Sequence, residues 1–477
     1  MTGHSSSPDA SPRGGEALLW AGVALWLVVL LLTWPMALSF GDEVAYLGQA
    51  RLLLDGQIRP QLDSAGLWFP GPTGLMTKYP LFPALLLMPL LAIHPRTVFL
   101  FSVMATVGLI WFASRVLRSW GRAPGWALLL LAHPGIVILS RTAMADVPFA
   151  AAAVGAWWTL NRGRPVVAAA LLAFLVMLKA PGVGLGSLLV AGCGAAWWRK
   201  GMLRNTEVMR RLIIAGICLV VGLVCAGALT LLTTGRPGLG YSGMHGAKPF
   251  SLDYLPTSGW THLVSLVLCP PLLLGGALPY WKKRELGPLF VIAGFAVLMS
   301  TYFFVDWGPS WAESLVLSQR LILPVVAFLL IGYAELAASL LARLRFDARW
   351  ALVILGVLAL AVTGGISSRH LRWQRPMQKA LAAASATAAA AGTDELALTY
   401  GAAKVGLLYP GPVRQFVPGT SQARVVLCGR DSASYRVPGL MGNCQFAGYR
   451  IDRSIDGFDI LVRDGDHSTT PEPHGSR

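Results

Sequence analysis

Residues 17–38 read ALLWAGVALWLVVLLLTWPMAL, 22 positions without one charged side chain. A bilayer core about 30 Å thick needs roughly 20 apolar helical residues, so this run is long enough to span it. It is too long for the apolar core of a signal peptide, and no small-residue cleavage site follows. It predicts a retained transmembrane helix. Further apolar runs predict spans near 97–117, 125–140, 147–161, 165–179, 182–198, 212–233, 262–280, 287–305, 320–341 and 350–367. Composition agrees: of 477 residues, 55% are hydrophobic and 13% charged, against about 25% charged in soluble domains. A soluble globular fold is excluded. The expected class is an all-α polytopic membrane protein with about 11 transmembrane helices.

The net charge of +16 would suggest nucleic acid in a soluble protein. Here the basic residues lie in short loops between apolar runs, where they set topology. One alternate set of loops carries Arg115, Arg118 and Arg122; Arg162 and Arg164; Arg199 to Arg211; Lys282 to Arg284; and Arg343 to Arg349. The opposite short loops carry far fewer, namely Arg141, Lys179, Arg236 and Lys248. The richer set is expected in the cytosol, with residues 1–16 as a disordered cytosolic tail. An odd number of spans then puts the C-terminal region outside. The expected transmembrane domain is 17–367, with long outer loops at about 40–96 and 234–261. Within the first, PLFPALLLMPLLAI (80–93) is apolar but too short to span, so it reads as an interfacial helix.

Residues 368–463 change character. An Ala-rich helix near 377–391 precedes the strand-like runs ELALTY, VRQFV, ARVVLC and DILVR. This predicts a small extracytoplasmic α/β domain, followed by a disordered tail at 464–477. Of six cysteines, Cys193, Cys218, Cys225 and Cys269 lie in apolar runs as packing residues, whereas Cys428 and Cys444 could pair in an oxidising compartment. No CxxC or His-rich metal spacing is present.

The acids gather on one side. Asp42, Glu43, Asp146, Asp253, Asp306 and Glu313 all fall in outer loops or at outer helix ends, and Glu335 near a cytosolic end. Proton-coupled transporters usually place ionisable groups near the midplane, so this pattern favours chemistry at a face. In GDEVAYLGQARLLLDG (41–56), Asp42 fits an N-cap, Glu43 a first-turn dipole partner, and Gly56 a stop. Tyr46, Ala50, Leu53 and Leu54 are expected to form an apolar stripe on that helix. Asp146 precedes Val147-Pro148, again a pattern for a helix start. Lys78 and Arg320 stand before apolar segments, where cations either snorkel or hold a lipid phosphate. His245 lies in the second long loop without an evident partner ligand.

Together these residues resemble the GT-C membrane glycosyltransferases, in the branch of the protein O-mannosyltransferases and the lipid A aminoarabinose transferases. The likeness covers most of 17–335. It rests on GDE-x-x-Y after the first span, Lys78-Tyr79-Pro80-Leu81, Asp146-Val147-Pro148 and an Arg-x-x-x-Pro motif from Arg320 to Pro324. The resemblance implies an active site at the outer face and an inverting transfer from a polyprenyl-phosphate-linked sugar to a lipid, glycan or protein hydroxyl. It assigns Asp42 as base, Asp146 as an orienting acid and Glu43 as a supporting acid. Lys78, Arg320 and Tyr46 become substrate-binding residues. A divalent metal is an option in the family, but Thr77 stands where the aminoarabinose transferases carry a ligand acid, so no metal site is assigned. The expected location is the bacterial inner or plasma membrane, with no nucleic-acid partner. Two other readings share these features: a lipid-linked sugar transporter or flippase, and a ligase or polymerase using lipid-diphosphate glycans.

Overall fold

The computed structural model describes residues 12–66, 68–71, 74–77, 79–235, 250–302, 311–399, 402–430 and 444–464. The chain divides into two compact units. The first comprises 1–34, 99–232 and 236–368, and the second 35–98, 233–235 and 369–477.

The first unit is helical. Among the described residues, five helices are long and apolar enough to cross a membrane: Gly15–Leu32, Pro95–Ser119, Thr206–Thr234, Leu323–Arg343 and the run within Ala348–Ala390. Pro165–Leu178 and Leu286–Ser300 are apolar but shorter. The expected number of about 11 spans is therefore not reached by length and apolarity alone. Proline accounts for two of the shortfalls. The predicted span at 125–140 is a 3-10 segment, Pro124–Leu130, then a break and a short helix, Pro134–Leu139. His133 is extended at φ −88°, ψ 117°, as a residue before proline tends to be. The predicted span at 262–280 stops at Leu268, before Cys269-Pro270-Pro271, and resumes as Ala277–Lys283. In the other direction, the predicted last span and the Ala-rich helix merge into one 43-residue helix, Ala348–Ala390, which carries Pro376 inside it.

The helix Asp146–Asn161 is central, buried along nearly its whole length. It packs on Leu100–Ser119, Pro165–Leu178 and Leu323–Arg343. At one end of it Trp157 meets Tyr280 and Phe328 edge to face, with centroids 5.8 and 5.7 Å apart. Such pairs add about 0.5–1.5 kcal/mol each beyond burial. Glu335 takes Arg122 at 2.7 Å and Lys283 at 3.6 Å, which joins basic residues of two loops assigned to the same face. Arg141, 1% exposed, donates to the Thr33 and Ser367 hydroxyls at 3.0 and 2.8 Å and to the Thr33 carbonyl. It thereby caps the C-terminal end of the first helix.

The second unit joins the first outer loop to the C-terminal region. In the loop, helix Gly41–Leu54 packs on helix Leu81–Ile93, and strands β1 (Phe69–Gly71) and β2 (Gly74–Met76) form a hairpin. The C-terminal sheet has β3 (Leu396–Leu398), β4 (Val413–Gln415), β5 (Val425–Gly429), β6 (Tyr449–Ile455) and β7 (Phe458–Arg463), in the order β4-β3-β5-β7-β6. β4, β3 and β5 are parallel; β7 pairs antiparallel with both β5 and β6. The four expected strands are present. The fifth, β6, is mostly polar and faces water, which hid its alternation. Its turn residues Asp456 and Gly457 have φ of 43° and 87°, the positive-φ pair that a two-residue hairpin turn favours.

Buried polar links hold the loop to the C-terminal region within this unit. Gln374 accepts from the Met36 N–H and donates to the Ala37 carbonyl, both at 2.9 Å. The Arg51 guanidinium reaches the carbonyls of Leu407 at 2.8 Å, Gly411 at 3.3 Å and Tyr409. Burial pulls Arg51 down to about 10, opposed by the Asp55 carboxylate. Cys428 and Cys444 form a disulfide. Both sulfurs sit in an apolar cluster with Ala397, Phe416, Val426 and Leu461. Closing a loop of about 15 residues is worth about 3 kcal/mol in the chain-entropy account. Replacing both cysteines by serine is expected to lower the unfolding midpoint of this unit markedly, read by thermal melting of the detergent-solubilised protein. An unchanged midpoint would show the bond adds no stability.

Candidate functional site

In the second unit, the helix that carries Asp42 begins at Gly41 with Phe40 as its N-cap residue. A phenyl ring cannot accept a hydrogen bond, so the cap must come from elsewhere. Glu43 supplies it: Oε2 accepts from the N–H groups of Ser39 at 2.7 Å and Phe40 at 2.8 Å. This is the reach-back half of a capping box. The residue pattern pointed to Asp42 as the cap; the structure assigns that task to Glu43. Asp42 is then one residue inside the helix, half-buried, and its Oδ1 accepts from the Tyr79 hydroxyl. Tyr79 is in turn braced by Tyr46, edge to face at 5.3 Å. Tyr46 itself is 1% exposed, so its ring contacts Tyr79 rather than water.

The predicted apolar stripe on this helix is not what forms. Residues 43–50 are all buried, while Leu54 is exposed. Two neighbours cover it: the Leu81–Ile93 helix and the strap beyond Gly56. The strap comes close because Gly48 has no side chain; a Cβ there would meet the Ala65 carbonyl oxygen at 2.7 Å.

Lys404 is an unpredicted cation in this region. Its ammonium lies 5.9 Å from the Trp373 ring centroid. Burial lowers its proton affinity and the Glu43 carboxylate raises it. Its carbonyl accepts from the Leu38 N–H at 2.8 Å, so it is tied to the strand entering the Asp42 helix.

In the first unit, Asp146 opens its helix as the first helical residue, after Ala145. Its carboxylate is wholly buried, and Oδ1 lies 2.6 Å from Lys179 Nζ. Arg320 Nε is 4.0 Å from the same oxygen, an ion-pair contact rather than a hydrogen bond. Oδ2 has no hydrogen-bond partner among the described residues. A buried carboxylate oxygen without a partner is costly, which marks this atom as an open acceptor. Next to Arg320, Gln319 donates to the Ser265 and Cys269 carbonyls at 2.9 and 2.8 Å, fixing the turn that presents the guanidinium.

The structure thus brings Asp146 and Arg320 together in one unit and Asp42, Glu43 and Tyr46 together in the other. Lys78, His245 and Asp306 lie outside the described residues, as does the side chain of Glu313. Sequence reasoning missed Lys179, which it used only as a topology marker. The signal was a lysine at the end of an apolar run, immediately before Ala180-Pro181-Gly182. It also missed Tyr79, which lies inside the quoted Lys-x-Pro-Leu motif. Among the described residues a divalent metal finds no ligand set. Thr77 Oγ accepts from the Tyr79 N–H at 3.2 Å, and among the described residues no group of three or more His, Cys, Asp or Glu side chains could hold an ion.

No family model matches the chain, and no curated protein matches it. Solved structures do. ArnT from Cupriavidus metallidurans in the apo state superposes with a TM-score of 0.59 at 14% identity, over 95% of this chain and 99% of that one. The same protein bound to undecaprenyl phosphate gives 0.60 at 14%, over 94% and 98%. The chain has the ArnT fold. At this identity the likeness speaks for the fold alone, and at that level it agrees with the resemblance to GT-C membrane glycosyltransferases, ArnT being a lipid A aminoarabinose transferase of that class. The ArnT fold and the apolar helices make this an integral membrane protein.

Proposed function

We infer that the protein is a membrane glycosyltransferase that moves a sugar from a polyprenyl-phosphate donor to an acceptor hydroxyl at the extracytoplasmic face, with inversion. The observation that carries this reading is the division of labour at the start of the Gly41–Leu54 helix. Glu43 caps the backbone, and Asp42 is left half-buried and oriented by Tyr79. A carboxylate aimed by its neighbours and not used for capping suits a general base, which must be within hydrogen-bond reach of the proton it takes. An inverting transfer needs one such base, opposite the leaving group. The ArnT fold supports a lipid-linked donor, since one ArnT structure holds undecaprenyl phosphate.

The remaining roles follow from charge. Arg320 and Lys78 bind the donor phosphate and stabilise it as it leaves, in place of a proton donor. Lys179 holds Asp146 through Oδ1, and Oδ2 accepts a hydroxyl of sugar or acceptor. Tyr46 acts through Tyr79, and Glu43 through the helix start. The inner or plasma membrane, a cytosolic N-terminus and an outer C-terminal region complete the reading.

The test is direct. Purified protein in detergent is incubated with a panel of polyprenyl-monophosphate sugars, with and without lipid, glycan and peptide acceptors, and donor loss is followed by mass spectrometry. At least one donor is expected to be consumed with a matching product. Movement of a lipid-linked sugar across proteoliposomes with no transfer to any acceptor would favour the flippase reading instead.

A further inference from the structure

A cavity of about 560 Å³ opens at the far end of the Asp42 helix, enclosed by the second half of that helix, the strap 57–65 and residues 410–414. The proposed chemistry uses none of it. Its size falls within the range of about 300–1,000 Å³ usual for small-ligand sites. Leu52, Leu54, Ala65, Pro410 and Pro412 give it apolar walls. The polar groups among them decide what it can hold.

Both guanidiniums are already engaged. Arg51 is occupied by three backbone carbonyls. Arg414 donates to Asp63 at 2.8 Å and forms an ion pair with Glu395 at 3.0 Å. An anion such as a phosphate would find both cations of this wall already satisfied and would face the Asp55 carboxylate. By contrast, the side chains of Asp55, Gln57 and Gln61 make no hydrogen bond among the described residues, although all three line the cavity. Ser64 Oγ accepts from the Gln61 N–H at 2.8 Å and keeps its hydrogen to donate. An amide both donates and accepts, and so does a hydroxyl group. Two amides, a carboxylate and a hydroxyl against apolar walls match a neutral ring with hydroxyls at its rim and C–H groups on its faces.

We propose that this cavity binds a sugar ring of the acceptor, held by Asp55, Gln57 and Gln61. The proposal rests on the glycosyl-transfer reading and names the acceptor class for it. Gly48 and Arg51, both lining the cavity, are six and nine residues beyond Asp42 on one helix, hence roughly 9 and 13.5 Å along the axis. The bound ring is thus remote from the hydroxyl that reacts. Contacts of equal strength in ground and transition states would lower KM and leave kcat unchanged, whereas binding energy spent on orienting the reacting hydroxyl would raise kcat as well.

Saturation-transfer NMR on the full-length protein in detergent tests this, with the methyl glycosides of glucose, mannose, galactose and N-acetylglucosamine as probes. At least one probe is expected to receive saturation from the wild type. The signal is expected to fall at least tenfold in the Gln57→Ala/Gln61→Ala variant, whose lost side chains make no hydrogen bond among the described residues, and to persist in Asp42→Asn. Failure of all four glycosides to receive saturation overturns the proposal, as does an undiminished signal in the double variant. Displacement of the glycoside by inorganic phosphate in proportion to its concentration also overturns it. The glycosyl-transfer reading is judged separately, by loss of the polyprenyl-phosphate donor. A protein that binds glycosides in this cavity and consumes no donor defeats that reading and not the cavity.

Discussion

Asp42→Asn is expected to lower kcat/KM for sugar transfer by about 10²–10⁴-fold, the contribution of a positioned base. Folding and membrane insertion should be unchanged, for reasons the local geometry supplies. The helix start is capped by Glu43, not by Asp42. The asparagine carbonyl can still accept from the Tyr79 hydroxyl, which now meets Oδ1. The substitution therefore removes proton affinity and little else. Donor loss by mass spectrometry reads the rate, and thermal melting in the same detergent reads the fold. Wild-type turnover in a well-folded variant would remove Asp42 from the mechanism. Glu43→Gln provides the contrast. Its oxygen can still accept from Ser39 and Phe40, so a moderate loss is expected, through a loosened helix start.

The second large effect is at Asp146, and there stability comes first. Its carboxylate is fully buried, Lys179 is 12% exposed at its side chain and Arg320 6%. Asp146→Ala leaves the buried Lys179 without its 2.6 Å acid and takes one 4.0 Å ion-pair contact from Arg320, and breaking a buried pair from one side costs about 3–5 kcal/mol. The unfolding midpoint should fall sharply, and activity with it. The single variant cannot say whether the acid also serves the reaction. Asp146→Leu combined with Lys179→Met can. Replacing a buried pair by apolar residues of similar volume is often neutral or stabilising, so the double variant, which loses only the 4.0 Å Arg320 contact besides the pair itself, should melt well above Asp146→Ala. It should nonetheless transfer no sugar if Oδ2 receives a substrate hydroxyl. Full activity in the double variant would reduce Asp146 to a structural ion pair.

The class of fold was plain from the apolar runs, because length and charge depletion are properties of a segment alone. Interruptions were less plain. Pro134 and the Pro270-Pro271 pair are visible in the sequence, but their apolar neighbours masked the break they impose. The merged helix Ala348–Ala390 was hidden for the converse reason: polarity changes along it near residue 368 and the helical backbone does not. At the site, the motif residues could be found by order and spacing, yet their tasks could not. Asp42 and Glu43 are adjacent acids in one helical turn, and either composition or dipole arguments serve both equally. Only the backbone path of Ser39 and Phe40 decides which one turns back to cap. Lys179 was likewise read for its charge and not for its partner, since Asp146 lies 33 residues away in sequence.

The Gly41–Leu54 helix has its first carboxylate placed against Tyr79 and its middle glycine placed against Ala65. Each extra residue in a helix rotates the remainder of it by about 100° and advances it about 1.5 Å. One residue inserted or deleted between Asp42 and Gly48 would therefore swing one of these two points off its mark, and no adjustment of the loops could restore both. The reach of this rod is as firmly specified as any side chain on it.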